Sequence, residues 1–291
     1  MPRARMAAAA RVAAAAALAA AAVACATVAP LTLPAGPWAA EPGGADLLAR
    51  ATSACRGVRT LTAEIAIRGQ VGSQKIRGRV IAGFERGGSA RLEAPAPFGA
   101  PVFVLSARAN RATLWLPRDG RIVRDAPVED VLEAIAGLRR SSDDLLGLLA
   151  GCLAGTAPAA SGGAERGPSG WMRVPLQDAA VAFLRFDKSA WRLAAGYRGA
   201  TATEPAWQVA YEGFTSAFPD VVRISRTPGP APQPGVQSTL NLQVSQRETN
   251  VDIDARAFDP LAAPGATPMT LDELRQAGPL ADRASLSETG R

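Results

Sequence analysis

From Leu61 to Phe84 the chain alternates with a period of two. Leu61, Ala63, Ile65 and Ile67 take one parity, and Thr62, Glu64 and Arg68 take the other. After Gly72-Ser73, Ile76, Gly78, Val80, Ala82 and Phe84 alternate with Lys75, Arg77 and Arg79. Successive side chains of a strand point to opposite faces, so the pattern predicts a hairpin with an apolar face and a cationic one. A sheet with one apolar face must bury it, by curling on itself or under a layer of helices. That requirement limits the fold more than any other feature of the chain.

Shorter segments extend the pattern. Strands are predicted at Arg91–Ala94, Val102–Ala107, Thr113–Leu116 and Arg121–Arg124, with Asp119-Gly120 as the turn between the last two. After the middle of the chain they resume at Trp171–Val174, Ala180–Phe186, Trp191–Tyr197 and Trp207–Glu212. Val221–Arg226, Ser238–Ser245 and Thr249–Ile253 complete the set. Helical spacing is confined to a few stretches. Leu47, Leu48, Ala51, Cys55 and Val58 mark one helix that starts at Asp46 and ends at Gly57. Val128, Val131, Leu132 and Ile135 mark a second. Leu145, Leu146, Leu148 and Leu149 mark a third, begun by Ser141 and Asp144 in a capping-box arrangement. Asp143 and Asp144 read as first-turn acids that suit the helix dipole rather than as catalytic carboxylates. The fold class is α+β, a curved antiparallel sheet with three helices over its apolar inner face.

The first residues predict export. Arg3, Arg5 and Arg11 precede an apolar run from Val12 to Ala24, followed by small residues. This is the signal-peptide pattern, too short and Ala-rich for a good membrane span. Ala22-Val23-Ala24-Cys25 resembles a lipobox, with Ala22 where Leu is usual, and predicts acylation of Cys25. The rival cut, after Ala26, releases a soluble protein beginning at Thr27. The predicted organisation is a signal at 1–24, a Pro/Gly/Ala-rich tether at 25–43, a folded domain at 44–262 and a tail at 263–291. The tail carries one short helix candidate from Thr270 to Leu274, again with capping-box spacing.

Composition excludes more than it proposes. There is no histidine, which removes Ser-His-Asp and Cys-His catalysis and His-ligated metals. No phosphate-binding loop or dinucleotide fingerprint is present. No catalytic group, metal site or cofactor is expected, and the chain reads as a non-enzyme. The net charge of +6, half of it from the three signal arginines, is too small and too spread for a nucleic-acid footprint. Cys55 and Cys152 have two open readings, a disulfide in an oxidising compartment or two separate buried thiols.

The layout resembles the LolA/LolB family of bacterial lipoprotein carriers, and within it the LolB outer-membrane receptors. Arg91-Leu92-Glu93-Ala94-Pro95-Ala96-Pro97-Phe98-Gly99 is similar to the family's R-L-x-x-x-x-P-L-G stretch. The Asp119-Gly120-Arg121 turn and the helical stretches Asp130–Gly137 and Asp144–Gly151 follow in family order. Trp207-Gln208-Val209-Ala210-Tyr211-Glu212-Gly213-Phe214 resembles its late W-x-V-x-Y-x-G-Y strand. The resemblance spans Asp46 to Phe258 and implies an unclosed antiparallel β-barrel whose helices form a lid over an apolar cavity. It implies that Leu61, Ile65, Val80 and Phe84 line a cavity for acyl chains. It also implies that Pro97, Phe98 and Gly99 form a protruding loop for membrane insertion, with Phe98 at the family's Leu position. The implied partners are acylated lipoproteins, a LolA-like periplasmic carrier and the membrane that holds the Cys25 lipid. The implied place is the periplasmic face of the outer membrane, with the protein as a monomer. A soluble periplasmic carrier and a structural envelope lipoprotein without ligand are the alternatives.

Overall fold

The computed structural model describes residues 31–153, 163–200, 205–227 and 237–281. The export segment and Cys25 lie outside the described residues. One sheet of 15 strands organises the rest. The hairpin is formed by β2 (Thr60–Val71) and β3 (Gln74–Glu85). Leu61 pairs with Phe84 and Ile65 with Val80, which puts all four on one face. A first meander continues through β4 (Ser89–Ala94), β5 (Phe103–Arg108), β6 (Arg111–Leu116) and β7 (Arg121–Pro127). A second runs through β8 (Ala164–Arg166), β9 (Met172–Pro175), β10 (Ala180–Asp187), β11 (Ala190–Arg198), β12 (Trp207–Phe214), β13 (Pro219–Arg226) and β14 (Ser238–Thr249). Strand β14 lies antiparallel to β2, from Ser238 opposite Val71 to Thr249 opposite Leu61, and fuses the meanders. The edges are β1 (Ala39–Glu41) beside β8 and β15 (Thr267–Pro268), parallel to β7, so the ring stays unclosed.

Five helices occupy the inner side: α1 (Gly44–Ala51), α2 (Ser53–Arg56), α3 (Val128–Ala136), α4 (Ser142–Leu149) and α5 (Leu271–Ala277). Leu48, Val131, Leu146 and Leu274 join Leu61, Ile65, Val80 and Phe84 in one buried cluster. The helix expected from Asp46 to Gly57 is broken in two at Thr52. The Thr52 hydroxyl donates to the Leu48 carbonyl at 2.7 Å, and its backbone leaves helical geometry (φ −109°, ψ 5°). A threonine that bonds back to the preceding turn competes with helix propagation. The Ser141 hydroxyl accepts from the Asp144 N–H at 3.1 Å. The Asp143 carboxylate accepts from the N–H groups of Gly87 and Gly88, which fastens the start of α4 to the β3–β4 turn.

The sulfurs of Cys55 and Cys152 are bonded, with Cα atoms 5.7 Å apart, so the ends of α2 and α4 are tied together. Beside them the buried Tyr211 hydroxyl donates to the Cys152 carbonyl at 2.7 Å, and burial pushes the Tyr211 phenol upward from its ordinary pKa.

Over β5 the outer face is not left to solvent. Five consecutive residues of β5, Phe103 to Ala107, are buried, which a half-exposed strand does not allow. The cover is the segment after β14. A strand expected at Thr249–Ile253 is absent; β14 runs on to Thr249 and stops at Asn250 (φ +58°). The Asn250 side chain accepts from the Arg59 N–H and donates to the Gly57 carbonyl, which turns the chain out of the sheet. Residues 251–263 then cross the outer face. Arg108 donates to the Ala255 carbonyl and pairs with Asp259, and Phe258 is 1% exposed.

The following residues, read from sequence as a tail, are part of the body. The Thr267 N–H donates to the Gly120 carbonyl, and the Met269 N–H to the Ile122 carbonyl. Thr270 and Glu273 form the capping box of α5, whose Leu274 is fully buried. The Arg77 N–H then donates to the Leu280 carbonyl at 2.9 Å. A Cβ at residue 78 would lie 2.7 Å from a Leu280 methyl, so Gly78 makes room for this return. Residues 31–41, expected to be tether, also lie on the sheet. The Gln208 amide donates to the Leu31 carbonyl, and the Trp38 ring sits 6.0 Å from Phe183 with the Arg173 guanidinium 4.9 Å from it. Pieces this short carry no readable period.

Two outcomes test this architecture. The chain-entropy model assigns about 4.7 kcal/mol to a loop closed over 97 residues. The Cys55→Ser/Cys152→Ser protein should lose about that much in urea unfolding under oxidising conditions. Leu274→Ala should cost about 2–5 kcal/mol in the same assay, as a buried core truncation and not as a change in a loose tail.

Candidate functional site: an exposed aromatic loop beside a packed apolar interior

Strand β4 ends at Ala94, and Pro95, Pro97 and Pro101 bar its continuation, because proline has no N–H to donate. The loop closes where the Val102 N–H donates to the Ala94 carbonyl at 2.8 Å. Gly99 takes φ +76°, a left-handed conformation that favours glycine. Phe98, between Pro97 and Gly99, is 89% exposed. Leaving such a ring in water forgoes roughly 1.5–3 kcal/mol of burial.

The backbone beneath that ring is held firmly. Arg118, in the β6–β7 turn, donates to the Phe98 carbonyl at 2.9 Å and to the Ala100 carbonyl at 3.0 Å. One guanidinium thus braces both sides of Gly99 and adds a positive charge at the foot of the ring. Sequence reasoning identified Phe98 but missed Arg118. The residue stands next to Asp119-Gly120 with no local signal that it reaches back to the preceding loop.

The other proposed positions belong to the interior. Leu61 and Phe84 are 0% exposed, Ile65 5% and Val80 3%. They form two cross-strand pairs facing the helices, and Leu146 and Leu149 of α4 lie in the same cluster. The structure therefore brings the four together as packed core. Phe98 stands apart from them at the end of β4.

Charge clamps α3 to the second meander. Arg226 donates to Glu133 at 2.6 Å, and Arg139 pairs with Glu133 and with Asp130. Burial pushes the Glu133 carboxyl up, but the Arg226 and Arg139 bonds and charges outweigh it, and the net shift is downward. Among the described residues no helix is long and apolar enough to cross a bilayer.

No family profile matches the chain, and no curated protein matches it. Solved structures with a related outline include a LolA superfamily protein from Nitrosomonas europaea. It is 10% identical over 75% of this chain and 98% of that one, with a TM-score of 0.45. An outer membrane lipoprotein-sorting protein domain from Vibrio parahaemolyticus is 13% identical over 74% and 96%, with a TM-score of 0.35. LprF from Mycobacterium bovis is 12% identical over 74% and 98%, with a TM-score of 0.26. At these values the likenesses carry no functional weight.

The brace can be tested without knowing a ligand. Arg118→Ala should leave the unfolding midpoint within about 0.5 kcal/mol of the parent. It should also speed proteolytic nicking between Pro95 and Pro101, because two carbonyls lose their donor.

Proposed function

We propose that this protein holds acyl chains of lipoproteins between its curved sheet and helices and delivers them to the outer membrane through the loop at Phe98. The observation that carries this reading is an aromatic ring almost fully in water on a backbone braced by Arg118. An apolar ring on a rigid loop is suited to enter a bilayer interface, and the adjacent guanidinium suits the anionic headgroup layer. Acyl capture draws on about 0.8 kcal/mol per methylene buried, so no covalent chemistry is required.

The packed interior has to open for a chain to enter. The disulfide ties α2 to α4, so the movable cover is α3 and α5, held at the rim by Glu133–Arg226 and Glu273–Arg121. A LolA-like carrier on the periplasmic side supplies the client, and an acyl group on Cys25 anchors the receiver. A structural lipoprotein without ligand is the second reading, favoured by the close packing of Leu61, Ile65, Val80 and Phe84.

Phe98→Glu should fold and capture an acylated client as the parent does, yet transfer it to membranes at less than about a tenth of the parent rate, since a charge replaces a ring worth about 1.5–3 kcal/mol. Transfer at the full rate refutes the loop's role. Failure of the parent to take up any acylated client decides for the structural reading.

A further inference from the structure

Strand β3 outruns its neighbour. Strand β4 pairs only with Ile81–Glu85, so the half of the hairpin towards Gln74 stands clear of the first meander. Its outer face carries Arg68, Lys75, Arg77 and Arg79, all exposed. Arg68 and Arg77 are direct cross-strand partners, and Lys75 and Arg79 are the diagonal neighbours of Arg68. On its other side Arg68 faces Asn241. From Glu64 to Arg79 the two strands place one acid on this face among the described residues, Glu64, which pairs with Arg79 at 3.2 Å. Among the described residues, Arg68, Lys75 and Arg77 have no acidic partner.

Like charges directly opposite on a sheet are destabilising, and interspersed acids would relieve them. The cluster spans about one Debye length at ordinary ionic strength, roughly 10 Å, so its charges act together. A surface of fixed negative charge removes the repulsion.

We infer that this outer hairpin face docks on an anionic lipid surface. For its partner the inference rests on the membrane-delivery reading above. Three observations favour a bilayer over an acidic protein. The face is an open sheet surface, and Ile81 on it is 53% exposed. The Phe98 loop leaves β4 at the end from which β3 projects. The chain also reaches the sheet on this same face. Gln208, Ser225, Thr239, Gln70 and Lys75 form one cross-strand row, and Leu31 is bonded to Gln208. Four strand spacings of about 4.8 Å separate the ends of that row. Cys25 is six residues before Leu31, a reach of at most about 20 Å. A lipid on Cys25 therefore holds the bilayer within reach of the arginine face.

The test uses the otherwise complete mature chain with Cys25→Ser, so that no acyl anchor masks weak docking. Vesicles with about a third phosphatidylglycerol supply a negative surface, and phosphatidylcholine vesicles supply none. The protein should sediment with the anionic vesicles alone and be released in about 1 M salt, where the Debye length falls to about 3 Å. Arg68→Gln/Arg77→Gln should bind on the order of twentyfold more weakly, at about fivefold per residue. Its unfolding midpoint should be unchanged or higher, because the repulsion is gone. Arg50→Gln/Arg56→Gln, which removes two exposed arginines elsewhere, should bind like the parent. Equal binding by the Arg68/Arg77 variant, salt-insensitive binding, or equal loss in the control overturns the proposal. So does binding to an acidic protein with no affinity for anionic vesicles. Phe98→Glu with intact arginines should keep the charge-dependent docking while losing transfer, so failure of either idea leaves the other readable.

Discussion

Strands β2 and β14 lie far apart in sequence, and their pairing is the contact on which the molecule depends. Leu242 opposite Ile67 and Val244 opposite Ile65 make one sheet from two meanders. They also give one apolar face to one set of helices. At the end of the ladder Arg59 and Asn250, 191 positions apart, are joined by a 2.7 Å hydrogen bond. Ordering so long a loop carries a large entropy cost, so the pairing must be rewarded by the burial it makes possible. Without it, each meander would have an unpaired edge and half a core.

The same physics explains the covers on both faces. Inside, Leu146, Leu148 and Leu149 bury against the hairpin, and the Cys55–Cys152 bond keeps α4 aligned with α2. Outside, the buried run of β5 is apolar at both parities and needs the segment around Phe258 above it. The last described residues return to β3 at Leu280, so this segment closes the gap left by the short strands. The result is a sheet that is open in its hydrogen bonding yet well covered.

Two places break this economy. Phe98 stands in water on a backbone braced by Arg118, and Arg68 and Arg77 face each other with no acid between them among the described residues. A ring in water and like charges directly opposite each carry a cost in the isolated molecule; on the membrane reading proposed above, an apolar layer beneath negative headgroups relieves both. On the same proposal, the buried Leu61, Ile65, Val80 and Phe84 are the resting form, whose cover is displaced before an acyl chain enters.

Much of this was legible along the chain. Period-two alternation at Leu61–Phe84 set the hairpin, its register and the identity of its inner residues, because strand geometry is local and one slipped residue would turn every apolar side chain outward. The capping pairs Ser141/Asp144 and Thr270/Glu273 located two helix starts for the same local reason. Pro97-Phe98-Gly99 marked a loop, since proline and glycine exclude a strand there. Tertiary structure alone decided the rest. No local pattern brings β14 to β2, lays Phe258 over β5, or sends Arg118 to the Phe98 carbonyl. Short pieces such as Ala39–Glu41 have no period to read. Cys55 and Cys152 allowed two states until the helices brought their Cα atoms to 5.7 Å. Local periodicity decides which side of an element is apolar; only the closure of distant segments decides what covers it and which side chains are left in water.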